Sequence, residues 1–317
     1  MKLRLEDFIQ AKKRISPYLK PAPMLKSDEL QKILGYQGPI YLKLESEQPT
    51  GSFKVHGAFN ALLELSPDVE KVATFSSGNF AQAVAYGAAK LHKKATIVMP
   101  KNAPHKKIDG TKSLGAEIIY SGGTNEEGES IVKELVEKKG YAALHPFNNY
   151  TTIAGQGTIG LEIIESNPQI KHFFCPVGGG GLMSGCASVL KASNSSIRTY
   201  SVEPFGAHDF YESFQAKKHI AFEKTDTIAD GLRAHTVGTL NYPILMSTVD
   251  EVYAVSEESI IDAMRLLWKL HHLVIEPSGA VALAGFIAAH KNLQGEVVIL
   301  VTGKNVDSDS FKRWVGE

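Results

Sequence analysis

Short β-branched runs alternate with longer stretches of 3.6-residue periodicity along most of the chain. The spacing predicts strands at Ile40–Glu45, Lys71–Phe75, Ala95–Met99, Glu117–Tyr120, Phe173–Val177, Thr199–Val202 and Val297–Val301. It predicts helices at Phe53–Leu65, Asn79–Leu91, Thr124–Lys139, Leu182–Lys191, Glu257–His271 and Ser278–His290. Alternation of the two periods argues for an α/β fold with mostly parallel, twisted sheets. From Lys71 to Asn148 the pattern reads β-α-β-α-β-α-β, enough for a small doubly wound domain over residues 71–148. Residues 1–70 and 149–317 are then expected to form a larger, discontinuous domain. No repeat or Pro/Ser-rich linker occurs, so the smaller domain must be packed in rather than tethered. A ligand is expected between the two, where strand carboxyl ends meet helix amino ends.

Composition narrows the function classes. Lys plus Arg equals Asp plus Glu at 34 each, so no basic balance points to nucleic acid. The opening MKLRLEDFIQAKKR lacks the apolar core of a signal peptide, and the longest apolar stretch, Gly279–Ala289, falls short of the roughly 20 residues that cross a bilayer. Two cysteines, Cys175 and Cys186, make neither a disulfide framework nor a metal-pair spacing. A cytoplasmic setting is expected, with both thiols as small core hydrophobes.

Four segments could carry chemistry, each at a strand-to-helix turn or just before a helix. In Pro49–Lys54 the lysine opens a helix, whose positive end disfavours its protonation; desolvation would lower its pKa further, as a Schiff-base lysine requires. A lone lysine there is more often an exposed surface residue. In Thr74–Gln82 a strand ends in Ser76, Ser77, Gly78 and Asn79, and free N–H groups at the helix start suit a carboxylate. Capping by Ser77 or Asn79 would explain that segment by itself. In Cys175–Leu182 four consecutive glycines are entropically costly for a plain turn, but sensible if N–H groups wrap a phosphate. No Lys-Ser/Thr follows, so this is not a nucleotide P-loop. Thr302 closes the last strong strand, where a hydroxyl could meet a ring nitrogen. Gly155–Gly160 fits the dinucleotide fingerprint literally but follows no strand directly, and no acidic residue stands about 20 positions on, so that reading is rejected.

Taken in order, these segments resemble the fold-type II pyridoxal-phosphate family of serine/threonine dehydratases and serine racemases, with its two-domain, tryptophan synthase β-like fold. SFKVHGA, SSGN, HPF, AGQGTIG, PVGGGGLMSG, VEP, TIADGLR, IEPSGA and TGKNVD carry the resemblance over nearly the whole chain. It implies a PLP-dependent L-threonine or L-serine dehydratase that eliminates water and ammonia, with a serine racemase or 3-hydroxyaspartate dehydratase as alternative. A non-catalytic ligand-binding homologue is a third reading. It further implies that Lys54, beside Phe53, carries pyridoxal 5'-phosphate as a Schiff base and then serves as the base. Gly178, Gly179, Gly180, Gly181 and Leu182 would bind the phosphate, Asn79 the ring hydroxyl, and Thr302 the pyridine nitrogen. Ser76, Ser77, Asn79 and Phe80 would receive the substrate carboxylate, with Ser77 as proton donor on the face opposite Lys54. Phe80 stands where His is usual and leads to the expectation of a less polar substrate pocket; Ala81, Thr302 and Lys304 also depart from the family pattern. A homodimer or higher homo-oligomer without a C-terminal regulatory domain is expected.

Thr199–Val202 delivers Glu203 and Asp209 across a Gly-containing turn, and two carboxylates so placed can converge on a hard cation. The resemblance implies Mg²⁺ or Ca²⁺ held by Glu203, the carbonyl of Ala207, and Asp209. Without it, Asp209 would be read as capping the next helix and Glu203 as solvated or salt-bridged.

Overall fold

The computed structural model describes residues 3–103 and 105–317. Its ten strands are β1 (Met24–Lys26), β2 (Ile40–Leu44), β3 (Lys71–Phe75), β4 (Lys94–Pro100), β5 (Glu117–Ser121), β6 (Ala142–Ala143), β7 (His172–Pro176), β8 (Arg198–Pro204), β9 (Glu251–Val255) and β10 (Val297–Val301). They form a six-stranded sheet, ordered β1-β2-β10-β7-β8-β9, and a four-stranded sheet, ordered β5-β4-β3-β6. Among these described strands only the β1–β2 pairing is antiparallel, in keeping with the expected α/β fold.

Both faces of the larger sheet are covered. Along β10, Val297, Ile299 and Val301 enter a core shared with the helix Pro277–Ala289, while Val298 and Leu300 enter another shared with the helix Gly181–Ser193. Such a strand reads as a continuous apolar run because each alternate side chain meets a helix layer. Cys175 and Cys186 lie free in the second core, as small hydrophobes. On the smaller sheet, Val72, Ile97 and Met99 pack with the helices Lys54–Leu63 and Asn79–Lys90, and Ala73 and Val98 pack on the other face with Val132 and Leu135. The helix opened by Lys54 is therefore seated on the core of one sheet while its start adjoins the last strand of the other.

The helix Tyr150–Ser166 was not marked by periodicity. Every residue from Thr152 to Ile163 in it is buried, so no polar face repeats along it. Its glycines permit close helix contact: a Cβ on Gly157 would lie 3.0 Å from the Gly185 carbonyl oxygen. The fingerprint-like Gly155–Gly160 is thus a packing seam. No helix among the described residues is long and apolar enough to cross a membrane.

Candidate active site

In each sheet the strand order reverses once, between β3 and β6 in the smaller and between β7 and β10 in the larger. Crevices beyond the carboxyl ends of strands at such reversals are where open α/β sheets bind ligands. The turn after β3 carries Ser76–Asn79, and His145 follows β6. The glycine run follows β7, and Thr302 follows β10. All four predicted segments therefore meet at the reversals or, in the case of Lys54, against β10.

Lys54 is held there by backbone. Phe53 N–H donates to the Thr302 carbonyl at 3.0 Å, Lys304 N–H donates to Gly51 O at 2.9 Å, and Ser52 bridges to Gly303. The lysine is the first residue of its helix, and its Nζ lies 4.8 Å from the Phe53 ring centroid. Burial lowers its pKa to about 8, against the opposing charge of Glu276. A pKa of about 8 leaves about a tenth of the amine neutral at pH 7, far more than an ordinary lysine has, as a nucleophilic lysine needs.

Asn79 is tied on both sides of its amide. Its Nδ2 donates to Glu276 Oε1 at 2.6 Å, and its Oδ1 accepts from Asn305 Nδ2 at 2.8 Å, which itself also donates to Thr50 O. Glu276 is buried ahead of the helix Pro277–Ala289; burial first, and then the charge of Asp230, pushes its carboxyl up to about 7. Thr302 is 3% exposed, with its hydroxyl 3.3 Å from Ser278 O, a long contact that leaves it available to a ring nitrogen. IEPSGA and HPF contain Glu276 and His145, to which the sequence assigns no role. An acidic residue directly before a helix-starting proline was the available signal for the first; a lone histidine gave none for the second. Lys304, also without an account from sequence, pairs with Glu47 at 3.1 Å on the outer surface.

The glycine run forms an open cradle. Gly180 is left-handed at φ +88°, and the helix starts at Gly181. The N–H groups of Gly178, Gly179 and Gly180 meet no acceptor among the described residues, and those of Gly181 and Leu182 are the unpaired first turn of the helix. Asn241 Nδ2 clamps the run from behind, lying 3.0 Å from both Gly179 O and Phe147 O. Unpaired N–H groups at a positive helix end fit a phosphate. Together with the low-pKa lysine and the hydroxyl of Thr302, they fit pyridoxal phosphate.

Ser76 and Ser77 lie half-buried in the turn before the helix Asn79–Lys90, with Gly78 N–H donating to Ser76 Oγ at 3.3 Å. Phe80 corrects an expectation. Its ring is 2% exposed in the core between that helix and the smaller sheet, so it sets no pocket polarity, and only its backbone N–H faces the helix end.

The carboxylates expected to bind a cation are both buried. Glu203, not Asp209, caps the next helix, accepting from Phe210 N at 3.2 Å and Tyr211 N at 2.6 Å. Glu203 is thus neither solvated nor salt-bridged. Asp209 Oδ2 accepts from Val237 N at 2.7 Å, whereas its Oδ1 is buried without a protein partner. Burial, with the Asp209 charge added, raises Glu203 well above the usual range, and burial raises Asp209 to about 7. Ala207 is buried in the intervening turn. Two close, uncompensated carboxyls with an orphaned oxygen fit a hard cation, although no cluster of three His, Cys, Asp or Glu residues forms among the described residues.

A profile of the family "Pyridoxal-phosphate dependent enzyme" matches residues 15–303. A serine racemase of Oryza sativa subsp. indica is 41% identical over 94% of this chain and 89% of its own length. An L-threonine ammonia-lyase of Thermotoga maritima is 36% identical, covering 99% of this chain and 79% of its own. The solved structure of maize serine racemase superposes with a TM-score of 0.94 at 36% identity, covering 99% of this chain and 97% of that one.

Proposed function

The chain belongs to the pyridoxal-phosphate dependent enzyme family, and from that premise we propose that it is an ammonia-lyase acting on L-threonine or L-serine. Elimination of water leaves an enamino acid, and its hydrolysis takes up one water and releases ammonia, giving 2-oxobutanoate or pyruvate. The observation that carries this reading is Lys54, with its pKa lowered to about 8, set against the strand end that carries the neutral hydroxyl of Thr302.

When bound, pyridoxal phosphate supplies an electron sink for the pair left by the broken Cα–H bond. Lys54 would anchor it, and its amine, when free, would take the α-proton on one face. The glycine run and the first N–H groups of the helix Gly181–Ser193 bind the phosphate; Asn79 binds the ring hydroxyl. Ser76, Ser77, Asn79 and the Phe80 N–H bind the substrate carboxylate at the helix end. Thr302 offers the ring nitrogen a neutral hydroxyl, which does not hold a proton there as a carboxylate would. A neutral partner at that nitrogen would leave the bound cofactor a weaker electron sink than a carboxylate partner would. Glu203 and Asp209, with the Ala207 carbonyl, hold Mg²⁺ or Ca²⁺ in a structural site.

Ser77 favours a second reading, serine racemisation. It stands in the turn expected to serve the face opposite Lys54, and the rice relative is a serine racemase. The test is incubation of the cofactor-loaded protein with L-serine, D-serine, L-threonine and 3-hydroxyaspartate, measuring 2-oxo acid, ammonia and enantiomer. Oxo acid from L-threonine and L-serine is expected. Only D-serine from L-serine would make the racemase reading primary, and oxo acid from 3-hydroxyaspartate alone would replace the substrate class.

A further inference from the structure

β6 pairs in parallel with β3, Val72 opposite Ala142 and Ala73 opposite Ala143, so His145 emerges beside the Ser76–Asn79 turn. Its ring is held firmly. Nδ1 accepts from Asn148 N at 2.9 Å and from Phe147 N at 3.3 Å, and the His145 carbonyl accepts from Thr152 Oγ1 at 2.9 Å. A backbone N–H can only donate, so Nδ1 carries no hydrogen. The ring is neutral, and its one proton is on Nε2. Burial, with the nearby Lys54 charge, agrees, lowering the imidazole to about 4. Nε2–H meets no acceptor among the described residues.

We propose that His145 is a substrate-positioning residue whose Nε2–H donates to the α-carboxylate of the amino-acid substrate, across the strand reversal from the donors of Ser76–Asn79. The phosphate already has the unpaired N–H groups of the glycine run, while the Ser76–Asn79 turn beside His145 offers the donors read above for the carboxylate. A neutral donor adds no positive charge beside Lys54 and has no proton to spare for its amine, so it orients the carboxylate without weakening the base. The inference rests on the amino-acid substrate read above.

The test uses the cofactor-loaded protein and two ligands without a β-hydroxyl, L-alanine and L-alaninamide. Dissociation constants come from the change in visible absorbance. In His145→Asn, the Asn Oδ1 takes the place of Nδ1 and keeps the turn, while the donor at Nε2 is lost. Affinity for L-alanine should fall about tenfold or more, as for a lost hydrogen bond to a charged group, with alaninamide changing less than about twofold on the same basis. In the wild-type protein, imidazole ¹⁵N shifts should show an unprotonated Nδ1, with Nε2 moving on addition of L-alanine but not of alaninamide; this measurement needs no variant. Equal loss for both ligands, unchanged L-alanine affinity, a protonated ring at pH 6, or a wild-type protein that binds neither ligand would overturn the inference. His145-dependent binding of L-alanine by a protein that forms no 2-oxo acid would sink the proposed activity alone.

Discussion

Asn79 Nδ2 donates to Glu276 Oε1 at 2.6 Å, joining the turn after β3 to the start of the helix Pro277–Ala289, which packs on the larger sheet. The acceptor is a buried carboxyl raised from 4.5 to about 7. A raised carboxyl binds its proton more tightly when folded, so folding stability declines as pH rises from 4.5 through 7. The loss approaches about 3 kcal/mol. Glu276→Gln keeps an acceptor for Asn79 and removes the ionisation. The cofactor-free variant should match wild type near pH 5 and be about 2–3 kcal/mol more stable at pH 8.5. Denaturant unfolding at both pH values checks this; a gap that does not grow with pH would refute it.

Lys54→Ala should abolish both the visible absorbance of the bound cofactor and turnover, since anchor and base are one group. In the wild-type protein, the reactive form is the neutral amine. With the pKa lowered to about 8, the rate of cofactor capture should climb through pH 8 rather than 10.5. Stopped-flow mixing with pyridoxal phosphate across that range reads it directly.

Ser77→Ala should lose racemisation, and elimination from D-serine, by at least about tenfold more than elimination from L-serine, a difference of about 1.4 kcal/mol in barrier. The proposed mechanism assigns Lys54 to one face of the planar carbon and Ser77 to the other. Separate assays on the two enantiomers decide it, and equal loss of all activities would reduce Ser77 to shaping the site.

Two residues after Lys54, His56 is wholly buried with both ring nitrogens engaged. Thr158 Oγ1 donates to Gly155 O at 2.7 Å and so accepts from His56 Nδ1 at 2.8 Å; Nε2 lies 2.9 Å from Glu45 Oε2. Nδ1 donates, and the adjoining Glu45 carboxylate favours a proton on Nε2 as well, with Gln48 Nε2 3.0 Å from the same nitrogen. Burial opposes both charges, but mutual attraction prevails, raising His56 above 6.5 and lowering Glu45 below 4.5. The His56 contribution is full below pH 6.5 and is lost as pH rises through its folded value. That of Glu45 is present above 4.5 and is lost as pH falls through its own. His56→Ala should cost about 3 kcal/mol near pH 6, because buried Glu45 loses its close partner and keeps only the charge of Lys43, 3.6 Å away. The difference from wild type should shrink on the alkaline side, as unfolding titrations at pH 6 and 9 would reveal.

Rigorous chelation should lower the thermal midpoint and the activity together, with Mg²⁺ or Ca²⁺ restoring both. Without a cation, the raised Asp209 loses stability as pH rises through about 7, so rescue should be larger at pH 8 than at pH 6. Asp209→Asn should abolish the rescue. Melting curves with and without EDTA settle the matter: identical curves remove the cation site.

Local pattern was a sound guide where the physics is local. Strand positions in β3 and β10, the glycine run after β7 and the lysine at a helix start were all readable, because burial periodicity and glycine's conformational freedom leave marks within a few residues. The helix Tyr150–Ser166 was not readable, since burial on every side erases the period. The burial of the Phe80 ring is not legible either, because a sequence gives its neighbours along the chain and not the core behind it.

The sequence by itself determined the α/β alternation, the cofactor lysine and phosphate cradle as candidates, and the two carboxylates around Ala207. Only the tertiary structure decided which segments share a crevice, because that depends on strand order and on where it reverses. Glu276 reaches Asn79 from 197 residues away, and Glu203 rather than Asp209 takes the helix N–H groups. His145 becomes a fixed neutral donor only when its own turn folds back on Nδ1. Contacts of that kind arise when sheet pairing brings distant turns to one edge, and no periodicity along the chain records them.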